Sequence, residues 1–432
     1  MSISPLDQNN ASTSPSGAGP LDPGPVKTRK RIDSVDLLRG IVMVIMMLDH
    51  TRDFIHSGAL LFDPLDLRQT TVSLFLTRWI THFCAPVFVF LAGTGAYLQF
   101  ARGKSKRELS RFLISRGVWL IILEITIVRG FAFFNLDVRF LLFLQVIWVI
   151  GVSMIILAAL IHLPLKLVAG FGLAMIAVHN YFDRFPVKPW QGPQSPVPGW
   201  GAKLWMVLHQ PGIFPVGPRF PSPLVFILYP LIPWIGVMAV GYAFGSLYQR
   251  DAATRKRWLT ILGSSTILLF LIIRAFDKYG EPLHWARQRN FAFTILSFIN
   301  TTKYPPSLDY LLMTLGPAVL ALAIFEVGNS SANRSAFRNF FVTFGRVPLF
   351  FYVLQWFTAH TIAVLLHLIF GKPVHWLFQT PVEWFSNPPH GNGFNLIVVY
   401  ASWIAGVLLL YPLCKWFAGV KARRRDWWLS YL

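Results

Sequence analysis

The chain has 432 residues, of which 54% are hydrophobic and 13% charged. A soluble domain carries about 25% charged residues, so these proportions exclude an ordinary globular protein and point to a polytopic membrane protein. Lys and Arg number 39 against 19 Asp and Glu, a formal charge of +20. The basic residues gather in short loops between apolar runs, so the excess reads as membrane topology and attraction to anionic headgroups of a lipid bilayer, not as nucleic-acid binding.

Residues 1–31 are a predicted disordered tail with a basic end at Lys27, Arg29, Lys30 and Arg31. Its Ser, Pro, Gly, Asn and Asp hold too little apolar surface to build a core, and it lacks the apolar stretch of a cleavable signal peptide. The rest divides into a transmembrane domain, 32–419, and a basic cytoplasmic tail, 420–432. The fold class expected is all-α, a bundle of about ten transmembrane helices.

Apolar runs of about 20 residues mark the spans. The first is 35–56. The second, 72–100, carries Arg78 and His82 near its start and the small residues Ala92 to Ala96, which favour close helix packing. Arg102 to Arg107 form a basic loop. The third span, 109–130, contains Arg116 and Glu124; the fourth, 140–161, contains Gln145; the fifth runs from Pro164 to His179, Asn180 and Tyr181. A long loop, 183–222, rich in Pro and Gly, follows, with an interfacial helix predicted at Gly201–His209. The sixth span, 223–248, holds Pro230 and Pro233 and is expected to kink. Spans seven to ten are 256–276, 307–326, 343–370 and 394–418, with a second long loop at 277–306. Lys and Arg are denser on the side that holds the N-terminus, which puts both termini in the cytoplasm and both long loops outside. Cys84 and Cys414 lie in separate apolar runs, and no disulfide is expected.

Ionisable groups in a membrane helix are costly and usually face a cavity or a partner. Leu38 to Asp53 concentrates them: Arg39 near one end, and Asp49, His50, Arg52 and Asp53 at the other. Arg39 and His50 are separated by about 16 Å of helix rise and share one face. His50 is the strongest candidate for acid–base chemistry, because Asp49 and Asp53 beside it would hold its tautomer and raise its basicity. A plain alternative is that these charges mark the two headgroup levels. Arg78 and Glu124 suit an interhelical ion pair as well as they suit a site. His179 and His360 read as ordinary interfacial side chains, Gln145 and Gln355 as interhelical hydrogen-bonding groups, and Lys303 before Tyr304-Pro305-Pro306 as an anchor or a site residue. No H-E-x-x-H or C-x-x-C spacing indicates a metal, and there is no P-loop or G-x-S-x-G elbow.

Asp36-Leu37-Leu38-Arg39-Gly40 followed by His50 resembles the opening helix of integral-membrane acyltransferases that acetylate sugars. Leu38 to Phe54, Thr77 to Phe88, Asn300 to Gly316, Phe344 to Phe350 and the basic Trp-Trp tail together resemble the bacterial branch of the heparan-α-glucosaminide N-acetyltransferase family. The resemblance implies cytosolic acetyl-CoA as donor, an amino sugar or glycan as acceptor, and a multi-pass protein of the bacterial inner membrane. In that frame His50 is the general base or acetyl carrier, Asp49 or Asp53 orients it, and Arg78 or Lys303 meets the oxyanion. Arg39, Lys104, Arg107 and Arg111 bind coenzyme A phosphates. The resemblance also marks His56 as a second candidate histidine. The competing class is a transporter or flippase whose polar groups line a substrate path without covalent chemistry. A homo-oligomer is compatible with the sequence but not specified by it.

Overall fold

The computed structural model describes residues 32–135, 142–220, 222–326, 335–380, 383, 391–424 and 426–431. The predicted tail 1–31 lies outside them, as does Arg425 of the basic C-terminal segment. Among the described residues the chain is mostly helical. In chain order the helices are α1 (Asp33–Ile55), α2 (Val72–Ile80), α3 (Cys84–Ala101), α4 (Lys106–Leu123), α5 (Arg129–Phe133), α6 (Val146–Leu160), α7 (Leu165–Val178), α8 (Trp200–Leu208), α9 (Leu231–Phe244), α10 (Ala252–Phe276), α11 (Phe291–Ile299), α12 (Leu308–Phe325), α13 (Ala336–Arg346), α14 (Pro348–Ile369) and α15 (Leu396–Arg423).

Among the described residues, seven helices are long and apolar enough to cross a membrane: Val72–Ala101, Leu165–Arg184, Leu231–Gln249, Ala252–Phe276, Leu308–Phe325, Pro348–Ile369 and Leu396–Arg423. They fall on seven of the ten expected spans. The other three expected spans are largely helical in their described residues but are shorter or more charged. α1 carries too many charges, α4 opens on a charged turn and passes through a π-type turn at Glu124–Val128 before α5, and α6 has 15 residues. Fifteen residues rise about 22 Å, short of a hydrocarbon core about 30 Å thick.

Some expected spans begin differently. The described part of 140–161 opens on a strand, Leu142–Leu144, before α6. Residues 223–248 open on a strand, Leu224–Ile227, and the helix starts only after Pro230. Pro230 is the N-terminal cap and Pro233 sits in the first turn, where the missing N–H has no helical partner to lose, so the expected kink does not arise. Residues 343–370 divide at Val347, where α13 ends and Pro348 takes the first position of α14.

The all-α expectation also missed a small sheet. β1 (Leu142–Leu144) pairs parallel with β3 (Leu224–Ile227), which pairs antiparallel with β2 (Gly212–Pro215), in the order β1-β3-β2. The interfacial helix expected in the first long loop is α8, and the second long loop contains α11.

α1 is the helix around which the bundle is arranged, packing against α13, α14, α15, α3 and α12. Its crossing with α13 is set by two glycines. A Cβ on Gly40 would fall inside the Phe341 carbonyl, and one on Gly345 inside the Asp36 carbonyl. The same device brings α3 against α9, where a Cβ on Gly93 would meet Met238 and one on Gly241 would meet Phe90. Of the small-residue run expected to pack, Gly93 does so, whereas Gly95 faces open space.

Candidate functional site

The last two turns of α1 meet the end of α2 in a knot of paired charges. Arg78 Nη1 donates to both Asp49 carboxylate oxygens, at 3.0 and 2.8 Å, and to Thr81 Oγ1 at 3.0 Å. Arg52 Nη1 lies 2.9 Å from Asp49 Oδ1, and Arg52 Nη2 donates to Asp53 Oδ1 at 2.5 Å. Two guanidiniums therefore share the Asp49 carboxylate, the arrangement that mostly buried charges require. The alternative pairing of Arg78 with Glu124 does not occur. Glu124 Oε2 accepts instead from the backbone N–H groups of Ile147 and Trp148, at 3.0 and 3.1 Å, and so caps the N-terminus of α6.

His50 turns into the bundle. Its ring stacks on Trp356 of α14, with centroids 3.7 Å apart and planes inclined by 24°. Nδ1 is sealed from solvent and has no hydrogen-bond partner among the described residues. The expectation that Asp49 or Asp53 orients the ring is not met by the hydrogen bonding, for a helical reason. Asp49 is the adjacent residue, about 100° around the axis, and points to Arg78 and Arg52; Asp53 lies one turn on and is taken by Arg52.

Lys303, in the segment before α12, is buried with its ammonium 5.2 Å from the Tyr304 ring centroid, and forms no hydrogen bond or ion pair among the described residues. Its field reaches Asp49 and His50. His82 is fully buried against Tyr310, whose hydroxyl donates to the His82 carbonyl at 2.8 Å.

Three further candidate histidines have structural settings. His179 and His360, expected at the interface, are buried. The His179 ring nitrogens lie 2.9 and 2.8 Å from the Ile176 and Pro306 carbonyls. His360 is sandwiched between Phe134, 3.9 Å away, and Phe54, 4.5 Å away. His56 follows α1, and its Nδ1 accepts from the Gly58 N–H at 3.0 Å. The Gln355 side chain is fully buried, and neither amide atom has a hydrogen-bond partner among the described residues. Trp356 beside His50 is the residue sequence reading passes over, and Gln355 reads from sequence only as an interhelical hydrogen-bonding group, because the pairing of α14 with α1 is a tertiary contact that no local pattern announces.

The expected coenzyme-binding residues lie toward the other end of α1. Arg39 donates to Asp36 at 3.4 Å and to the Gly345 carbonyl at 3.2 Å, which caps the C-terminal end of α13. Lys104 donates to Gln99 at 2.8 Å and lies 4.2 Å from the Phe112 ring centroid. Arg107 and Arg111 are exposed along α4. Arg116, a turn further along α4, shares the field of Arg39 and donates to the Ser430 carbonyl, while Ser115 and Tyr431 join through their hydroxyls at 2.7 Å. The C-terminal segment therefore docks on α4 beside these cations.

A family model described as heparan-alpha-glucosaminide N-acetyltransferase, catalytic, matches residues 31–275, more than half of the chain. The chain belongs to this family. No curated protein matches it. Membership in the heparan-alpha-glucosaminide N-acetyltransferase family, together with seven apolar helices of spanning length, makes this a transmembrane acetyltransferase fold. The matched segment runs from the start of α1 almost to the end of α10 and includes Arg39, His50, Arg78 and the exposed cations of α4. Lys303, Gln355 and Trp356 come from beyond it.

Proposed function

We propose that the protein moves an acetyl group from cytosolic acetyl-CoA to an amino sugar or glycan acceptor on the outer side of a bacterial inner membrane, with both termini in the cytoplasm. The observation that carries this reading is the placement of His50. Its imidazole is turned into the bundle at one end of an unbroken helix whose other end bears Arg39, about 16 Å away along the axis.

Arg39, Lys104, Arg107 and Arg111 bind the coenzyme phosphates, for which Arg forks and Lys point charges suit. The acyl thioester then reaches His50. The open nitrogen of His50, Nε2, takes the proton of the acceptor N–H or O–H as that atom attacks the thioester carbonyl. The developing oxyanion is met by Lys303, which has no other anionic partner among the described residues. Collapse expels the coenzyme A thiolate, and the proton held by His50 returns to it. An acetyl-histidine relay uses the same nitrogen as nucleophile. Arg78 and Asp49 supply the fixed charge around the ring, and Arg52 holds Asp53.

Purified protein incubated with labelled acetyl-CoA and a panel of amino sugars tests this directly. Free CoA thiol released only when acceptor is present supports acetyl transfer. Solute uptake into proteoliposomes with no CoA release would replace it with a transport function.

A further inference from the structure

We infer that Gln355 is the positioning residue of His50, accepting a hydrogen bond from Nδ1–H so that the lone pair stays on the open nitrogen Nε2, while Trp356 fixes the plane of the ring. The inference rests on His50 being the base of the proposed reaction.

A histidine that works as a base must hold its proton on one nitrogen and offer the other, and the hydrogen bond made by the first decides which. In this chain the usual orienting carboxylates are engaged elsewhere: Asp49 by Arg78 and Arg52, Asp53 by Arg52. His50 Nδ1 is nonetheless buried and unpartnered, which is costly unless an acceptor is supplied. Gln355 places an amide within reach of that ring from the facing helix. Both of its polar atoms are themselves buried and unpartnered. Rotation of the terminal amide, a soft torsion, joins the orphaned groups without moving either helix. The next residue, Trp356, stacks on the imidazole at 3.7 Å and is braced edge-on by Phe54. Consecutive residues of α14 thus hold the ring, one by its face and one by its edge. An aromatic face also favours the imidazolium that forms during proton transfer.

The experiment compares Gln355→Leu and Gln355→Glu with the parent protein in nanodiscs, measuring acetyl transfer across pH. Gln355→Leu removes the acceptor, and kcat is expected to fall about 100-fold with KM for acetyl-CoA nearly unchanged. Gln355→Glu restores an acceptor and adds negative charge, so it should regain most of the rate, with the acid limb of kcat moved to higher pH. The charged groups acting on the ring include Asp49 and Asp53 on its own helix and Lys303 from the segment before α12. All are the same in both variants, so a displaced limb reports the side chain at position 355. Parent-like kcat in Gln355→Leu would overturn the inference. So would equal impairment of both variants with an unmoved acid limb. Should Gln355→Leu fail to fold, the limb of Gln355→Glu decides alone. An active His50→Ala protein would remove the reaction scheme itself; an inactive one beside unperturbed Gln355 variants would remove only the role of Gln355.

Discussion

Asp49→Asn is the sharpest perturbation of the charged knot. The substitution keeps shape and removes one negative charge from between two guanidiniums. At 2.8 Å from Arg78, with an effective dielectric constant of 20, the gross attraction is about 6 kcal/mol. The asparagine keeps one acceptor, and neither side chain is wholly sealed, which lowers the net loss. Two cations left facing each other raise it. Breaking a buried pair on one side costs about 3–5 kcal/mol, and Asp49→Asn should fall in that range. Arg78→Gln leaves Asp49 paired with Arg52 and should cost less, about 1–3 kcal/mol. The double variant should be more stable than the sum of the two single losses by about 2 kcal/mol, because the second change relieves the strain of the first. Unfolding in mixed detergent micelles, followed by tryptophan fluorescence, measures all three. A loss in Asp49→Asn below about 0.5 kcal/mol, the level of an ordinary surface change, would refute the reasoning, as would strict additivity.

Other perturbations read other parts of the fold. Glu124→Leu orphans the Ile147 and Trp148 N–H groups at the start of α6 and should destabilise the bundle by about 2–4 kcal/mol, while Glu124→Gln, which keeps an acceptor, should cost about 1 kcal/mol. Equal losses in the same unfolding assay would mean that the cap is not what Glu124 provides. Glu281 lies in the loop after α10, where burial raises its carboxyl above the ordinary value of 4.5 against the hydrogen bonds from Ser307 and Thr302. The folded protein then keeps a proton that the unfolded chain releases. Stability from this group is complete below the ordinary value and falls as pH rises from there to the folded pKa. Glu281→Gln should flatten that decline as pH rises above 4.5, and an unchanged slope of unfolding midpoint against pH would show that another group causes it.

Much of the architecture could be read from the chain because lipid leaves few options: long apolar runs must be helices. The charges of α1 stood out for the same reason, and an unbroken helix preserved the spacing of Arg39 and His50. What escaped was decided by contacts distant in sequence. The pairing of Leu142–Leu144 with Leu224–Ile227 joins residues about 80 apart, and the apolar strand Leu224–Ile227 looks from sequence alone like the first turn of a span. The glycine crossing of α1 with α13 depends on Gly40 and Gly345, neither of which has a partner nearby in the chain. At the site, proximity in sequence suggested that Asp49 and Asp53 serve His50. The geometry instead gives those carboxylates to arginines and brings Trp356 to the ring from α14. At this end of α1 the carboxylates pair with arginines, so the histidine is left to aromatic and amide neighbours.

Transfer of labelled acetyl from acetyl-CoA to an amino sugar by His50→Ala protein in nanodiscs tests the site most directly, with donor binding and thermal unfolding measured on the same preparation. The expected result is loss of transfer with donor binding and folding retained. Turnover close to that of the parent protein would contradict the assignment of His50 as the reacting base.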